Sequence, residues 1–291
     1  MPEIKVTYAQ ALADARTRLT KVIRNKESAF REAEAILLHT ANITREKLYT
    51  ILRDIIPTKA LKLFINATAL RCKHIPLQYI TGTECFYGRE FKVKKGVFIP
   101  RPDTEAVIEA VLSIKKLLPF SVNAADCGSG SGILSITLIK EIPNIKKVLC
   151  FDSNKKALDL TLANALTHGV SRCVKLYKGD FFALCKRHHL KFDLLVSNPP
   201  YIRLKSMKTL QKEVLQEPHE ALTDGALGYS FYKKFAENGA TLINPGGFIV
   251  MEIGDKMGNN IHKLFNKPNW KFVNSFKDFR EKERVLVFKH L

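Results

Sequence analysis

Apolar positions before residue 80 recur at helical spacing. Tyr8, Leu12, Ala15, Leu19 and Val22 share one stripe, and Ala33, Ile36 and Leu37 open another behind Ser28, which predicts an N-cap there. Further periodic stretches follow Thr44 and Pro57, so residues 1–80 are predicted to form a small helical bundle. Gly82, Gly88, Gly96 and Pro100 then punctuate residues 81–101, where Phe86, Tyr87, Phe91 and Val93 alternate with polar positions. Such alternation between turn residues predicts a connecting hairpin.

From residue 102 the rhythm changes again. Short apolar runs at 122–126, 147–151, 173–177, 192–197 and 247–253 are separated by helical patterns near 103–117, 132–141, 155–168, 229–243 and 255–266. Strand and helix in strict alternation specify an α/β domain, a parallel sheet covered on both faces, over residues 102–291. The last two runs, 270–276 and 284–288, have no helix between them and predict an antiparallel hairpin at one edge of that sheet.

Composition refines this picture in a few places. At 291 residues, 46% of them apolar and 26% charged, the chain has the ordinary globular mixture and enough length for two domains. No run approaches the roughly 18 to 20 apolar residues of a spanning helix, the first residues hold no signal-peptide core, and Glu3 and Asp14 lie where an import presequence avoids acids. Six cysteines never form a C-x-x-C pair, and His188-His189 has no cysteine at zinc-finger spacing. A cytoplasmic protein with reduced thiols and no bound metal is the expectation. Forty-seven Lys and Arg against 28 Asp and Glu give a net charge of +19. The excess is spread along the chain rather than gathered in a tail, which favours electrostatic steering toward an anionic partner over a dedicated base-reading groove.

Two motifs carry chemistry. The run ending Ala124-Ala125-Asp126 leads into Cys127-Gly128-Ser129-Gly130-Ser131-Gly132 and a helical stretch. A dinucleotide fingerprint would need a different glycine spacing, since position 133 is Ile. The D-x-G-x-G-x-G form instead suits a ligand with an ammonium and a carboxylate beside a nucleoside, namely S-adenosylmethionine. Asp152, closing the next strand, stands where an acid meets ribose hydroxyls, and Asp180 with Phe181, after the third, can take an adenine amino group and pack on its ring. The fourth strand delivers Ser197-Asn198-Pro199-Pro200-Tyr201 to the same edge. Consecutive prolines fix the backbone and leave carbonyls free, so the Asn198 side-chain oxygen and a neighbouring carbonyl can accept both hydrogens of a planar NH2 while Tyr201 flanks it.

DCGSGSG and SNPPY together resemble the class I methyltransferases that modify amino nitrogens with S-adenosylmethionine. Ile99-Pro100-Arg101-Pro102-Asp103-Thr104-Glu105 narrows the resemblance to the PrmC/HemK family, the glutamine methyltransferases of peptide chain release factors. Pro76-Leu77-Gln78-Tyr79-Ile80-Thr81-Gly82 with Phe86-Tyr87, Glu217-Pro218 with Ala221-Leu222, and Asp278 with Glu283-Arg284-Val285 are further matches. The resemblance implies a Rossmann-like seven-stranded methyltransferase sheet and methylation of the glutamine amide in the Gly-Gly-Gln loop of class-one release factors, leaving S-adenosylhomocysteine. By position, Asn198 and the Pro199 carbonyl hold the amide, with Pro200 and Tyr201 beside it. Asp126, Gly128 and Gly130 contact the methionine half, Asp152 the ribose, and Asp180 and Phe181 the adenine. Arg101 and Glu105 border the substrate side, and residues 1–80 serve as a substrate-binding domain. Where the family has Leu-Gly-Thr, this chain has Cys127-Gly128-Ser129, which implies tuning of the pocket.

A sister family acting on a large-subunit ribosomal protein shares NPPY without the intact PRPDTE. Glu217 and the Glu283-Arg284 pair read as structural ion pairs. The expected partner is a release factor, met by a monomer with no membrane and no stable nucleic-acid complex. Two rivals stay open on the residues alone: an adenine amino methyltransferase acting on DNA or RNA, for which the charge speaks, and a basic adaptor that keeps a cofactor fold without turnover.

Overall fold

A computed structural model describes residues 5–23 and 25–291; Glu3, used above against a presequence, lies outside them. The chain divides into two compact units, Met1–Thr83 with Gln211–Gln216, and Glu84–Leu210 with Glu217–Leu291.

The first unit holds α1 (Tyr8–Thr20), α2 (Lys26–Ala41), α3 (Arg45–Thr50), α4 (Thr58–Cys72) and α5 (Leu77–Thr81). Thr7 and Gln10 close a reciprocal capping box on α1. The stripe of Tyr8, Leu12, Ala15 and Leu19 is buried against Ala33, Ile36, Leu37 and Phe64, while Val22 is only partly covered. The cap of α2 is Asn25, not Ser28: the Asn25 side chain accepts from the Ser28 N–H, so Ser28 is already in the first turn. Arg71 on α4 is buried, and its guanidinium pairs with Glu32 on α2 and, at 2.8 Å, with Glu213 of the returning segment.

The second unit opens with a hairpin, β1 (Thr83–Phe86) and β2 (Arg89–Lys92). Tyr87 and Gly88 both have positive φ, 50° and 70°, the backbone of a two-residue turn whose twist matches the strands. There follow α6 (Glu105–Ile114), β3 (Asn123–Cys127), α7 (Ile133–Glu141), β4 (Lys147–Asp152), α8 (Lys155–Thr167), β5 (Val174–Lys178), α9 (Phe181–Arg187), β6 (Phe192–Ser197), α10 (His219–Leu222), α11 (Ser230–Leu242), β7 (Ile243–Glu252), α12 (Gly258–Leu264), β8 (Trp270–Lys277) and β9 (Glu283–His290). The seven-stranded sheet has the order β5-β4-β3-β6-β7-β9-β8, with β3 to β7 parallel and β8 and β9 antiparallel at the edge.

Helices cover both faces. One apolar cluster joins the sheet to α6, α7 and α8, and a second joins its other face to α9, α11 and α12. Leu194, Leu195 and Val196 are therefore all fully buried although they point to alternating sides, which is why the strand reads as a continuous apolar run. β7 starts earlier than the apolar run at 247–253, because the register shift opposite 192–194 lets Gly246 and Gly247 continue the strand. The last helical pattern is shorter than 255–266, since Lys256 takes a positive φ of 61° and helix begins only after it.

Asn164 of α8 ties the hairpin to the loop after β3. Its side chain accepts from the Lys92 N–H at 2.8 Å and donates to the Lys92 and Ser131 carbonyls at 3.1 and 2.8 Å. Asn164→Leu strands three backbone groups, and each stranded buried group costs about 1–3 kcal/mol. We expect a fall in unfolding free energy of at least about 1 kcal/mol, read as a lower urea midpoint at unchanged slope; an unmoved midpoint would show that water replaces the amide at no cost.

Candidate active site

The order of the sheet reverses between β3 and β6, and open α/β sheets bind ligands at the carboxyl ends of strands on either side of such a reversal. Cys127 at the end of β3 lies in register with Ser197 at the end of β6, and the Ser197 hydroxyl donates to the Cys127 carbonyl at 2.7 Å. The glycine turn and the NPPY turn therefore leave the sheet side by side.

The turn after β3 is held from several directions. The N–H groups of Gly128 and Ser129 both donate to the Phe151 carbonyl, and the Gly130 N–H donates to the Asp152 carboxylate at 3.0 Å. Gly132 has a φ of 82°, and a Cβ there would stand 2.9 Å from the Thr161 methyl, so no other residue fits without displacing α8. Cys127 forms part of the cavity wall, and burial pushes its thiol far above the ordinary range, leaving a small neutral side chain where Leu was the family expectation.

A cavity of about 290 Å³ opens between the two turns. On one side, Gly128, Gly130, Asp152, Asp180 and Phe181 line it. On the other side stand Asn198, Pro199, Pro200 and Tyr201. Asp152 is held by two N–H groups, from Gly130 and Asn154, and burial raises its carboxyl pKa against their pull. Asp180 caps α9 through the Ala183 N–H and lines the cavity as well. Phe181 packs edge-on to Phe151 in an aromatic wall, with centroids 4.9 Å apart. The Ser129 hydroxyl, also in the wall, is buried with no hydrogen-bond partner, as is Oδ1 of Asp126.

Three residues assigned to the site by sequence do not border the cavity. Asp126 lies beneath the loop, fully buried, where Oδ2 accepts from the N–H and hydroxyl of Ser135 at 3.2 and 2.6 Å. Its partners belong to α7, so it braces the turn from below; burial pushes its carboxyl up to about 7. Arg101 stacks 5.2 Å from the Phe98 ring centroid and pairs with buried Glu217. Glu105 accepts from the Tyr87 N–H at 2.7 Å and fastens the hairpin instead.

The whole PRPDTE segment works as a brace. Ile99 donates its N–H to Glu217 at 2.9 Å, Asp103 takes Arg280 and Arg284, and Thr104 accepts from the Asn198 amide at 3.2 Å. Arg284 pairs with Asp103 and Asp278 rather than with its neighbour Glu283. Thr104 belongs to the PRPDTE run that the resemblance sets beside the site, whereas Glu252, Glu220 and Phe98 fall outside the site residues read from the sequence. Glu252 closes β7 at the same sheet edge, a position that could have marked it, and it receives the Tyr201 hydroxyl at 3.0 Å. Burial pushes its carboxyl up to about 7 although Thr104, Tyr201 and Arg284 pull it down. Glu220 and Phe98 complete the wall. Among the described residues no group of three His, Cys, Asp or Glu could hold a metal ion.

Comparison with known proteins covers both units. Residues 90–250 match the family model "Methyltransferase small domain", and residues 10–82 match "PrmC N-terminal domain". A release factor glutamine methyltransferase of Aquifex aeolicus is 35% identical, with 94% of this chain and 95% of that protein covered. One of Bacillus subtilis is 36% identical over 96% of each, and one of Moorella thermoacetica 37% over 89% of each. A crystal structure of a methyltransferase from Pyrococcus furiosus superposes with a TM-score of 0.50 at 17% identity, covering 78% of this chain and 96% of that one, which speaks to the fold alone. With nearly its full length matched at this identity, the chain belongs to the release factor glutamine methyltransferase family.

Proposed function

We infer that this protein moves a methyl group from S-adenosylmethionine to the side-chain amide nitrogen of the glutamine in the Gly-Gly-Gln loop of class-one release factors, in the cytoplasm. One observation carries the reading: Asn198 and the glycine turn wall the same cavity, so an amide-holding group and a nucleoside-sized recess share one space. The donor set suits the cofactor. Asp152 keeps lone pairs beyond its two N–H partners for ribose hydroxyls, and Asp180 and Phe181, which line the same cavity, would take the adenine amino group and ring. Asp126 sets a carboxylate under the turn, and a cation bound above it favours the ionised form.

When bound, the cofactor supplies a methyl group already activated on a sulfonium. The chain's own part is orientation. An amide nitrogen is a poor nucleophile because its lone pair is delocalised, so both its N–H bonds must be fixed to aim it. Asn198 donates to Thr104 through Nδ2, which leaves Oδ1 as acceptor for one hydrogen, and the Pro199 carbonyl takes the other. Pro199 and Pro200 have no N–H to compete for that carbonyl. Proximity and alignment of this kind are worth several kcal/mol of barrier. The nitrogen sheds its proton as bonding to carbon raises its acidity, so no strong base is required.

Asn198→Ala is expected to leave cofactor affinity within about threefold of wild type while lowering turnover about 100-fold or more; calorimetry and single-turnover methylation measure the two, and equal losses would remove the residue from this role. Incubation of labelled cofactor with a release factor, with its glutamine-to-alanine loop variant and with nucleic acid should label the first only. Label in nucleic acid alone would establish the adenine-directed reading instead. We assign release-factor binding away from the loop to the helical unit. Deleting residues 1–80 should then weaken release-factor binding about tenfold or more at unchanged cofactor affinity, and unaltered affinity for the release factor would refute the assignment.

A further inference from the structure

The NPPY turn is held at both ends. Where it leaves β6, the Ser197 hydroxyl is fastened to the Cys127 carbonyl. Where it ends, Tyr201 lies against two glycines that belong to neither motif. A Cβ on Gly228, in the loop before α11, would stand 2.1 Å from the Tyr201 carbonyl oxygen and 2.8 Å from the carbonyl carbon. A Cβ on Gly254, just beyond β7, would stand 3.0 Å from Cδ2 of the Tyr201 ring and 2.7 Å from Sδ of Met257, whose side chain can turn aside. Backbone thus meets Tyr201 on its carbonyl and on its ring so closely that no side chain fits between, and the Glu252 carboxylate receives its hydroxyl at 3.0 Å.

One side chain fastens the loop that carries Gly228. Oδ1 of Asp224 accepts from the Ala226 and Gly228 N–H groups, both at 2.9 Å, and Oδ2 accepts from the Ser230 N–H at 2.9 Å. Ser230 opens α11, and the next residue, Phe231, lines the cavity. The Leu204 N–H donates to the Ala226 carbonyl at 2.9 Å, which ties the same loop to the chain that follows Tyr201. Burial pushes the Asp224 carboxyl up, but the hydrogen bonds from Ser230, Ala226 and Gly228 outweigh it and keep the group below its ordinary range. The clamp is therefore charged at neutral pH.

We propose that Gly228 and Gly254 are positioning residues for methyl transfer: a bare backbone at each lets Tyr201 sit at the depth from which the NPPY turn presents Asn198 and the Pro199 carbonyl to the substrate amide, and Asp224 fixes the Gly228 side of that seat. The proposal rests on the reading of NPPY as the amide-holding turn and adds to it what sets its far end. Pro199 and Pro200 have locked φ angles, so a shift of Tyr201 finds few soft dihedrals to absorb it before Asn198. A Cβ on Gly228 would have to part from Tyr201 by about 1 Å to reach ordinary contact. A misplacement of that size can cost about 100-fold in rate.

The loop supplies its own control. Gly225 and Gly228 have φ values of 77° and 82°, so alanine suffers the same backbone strain at either, but a Cβ on Gly225 meets nothing within 4 Å. The test compares wild type, Gly225→Ala, Gly228→Ala, Gly254→Ala, Asp224→Asn and Tyr201→Ala, with release factor as substrate at saturating cofactor. Calorimetry gives the cofactor Kd and the number of binding sites, and kcat is counted per site so that unfolded molecules drop out. We expect Gly228→Ala to lose about tenfold or more in kcat, and Gly254→Ala and Asp224→Asn about fivefold or more. Gly225→Ala should stay within about threefold of wild type, and cofactor Kd within about threefold throughout. Equal kcat in Gly228→Ala and Gly225→Ala, or a loss of turnover in Gly228→Ala matched by an equal loss of cofactor affinity, would overturn the proposal. Should Gly228→Ala bind no cofactor, Gly254→Ala and Asp224→Asn decide, and wild-type kcat in either overturns it. Wild-type turnover in Tyr201→Ala would instead bring down the reading beneath it, that Tyr201 flanks the amide.

Discussion

The parallel pairing of β3 with β6 is the constraint on which the site depends. Strands in a sheet lie about 4.8 Å apart, so turns leaving from Cys127 and Ser197, which are in register, must start as neighbours. Their pairing is reinforced where it matters by the Ser197 hydroxyl on the Cys127 carbonyl, at the last residue before both turns diverge. Crossover helices on both faces keep these strands from sliding, because a one-residue slip would turn buried Leu194, Leu195 and Val196 to the wrong sides. The glycine turn and the NPPY turn can then be encoded about 70 positions apart and still face each other across one cavity.

Around that edge the molecule concentrates buried and half-buried acids. Asp126 is the last residue but one of β3, Asp152 and Glu252 end β4 and β7, and burial raises the pKa of each. Such groups work against the fold once ionised, since the charged form is better solvated in water. They persist because their partners are fixed. Ser135 holds Asp126, backbone N–H groups hold Asp152, and the Tyr201 hydroxyl holds Glu252. Polar groups so arranged are oriented before any ligand arrives, which is what alignment of a weak nucleophile requires.

The basic residues beside the site are engaged in a different task. Arg101 is committed to Glu217, and Arg280 and Arg284 to Asp103. These arginines clamp the segment before α6 against distant parts of the second unit. Glu217, Asp103 and Asp278 match the charge of these three arginines, so the net charge of +19 resides on other residues.

Periodicity alone determined the helical first unit, the alternating α/β order and the antiparallel pair at the end, because burial of an amphipathic stripe or a doubly covered strand leaves its repeat in the sequence. The two motifs likewise marked the two turns that line the cavity, since glycines at positive φ and consecutive prolines are local requirements. Tertiary structure decided the rest. Asp126 went beneath the loop, Glu105 to the hairpin and Arg101 to Glu217 because each side chain takes the nearest partner in space, and no spacing along the chain announces Ser135, Tyr87 or Glu217 as that partner. Glu252 lies 51 residues beyond Tyr201 and receives its hydroxyl, so its place beside the cavity emerges only when the end of β7 and the NPPY turn are packed together.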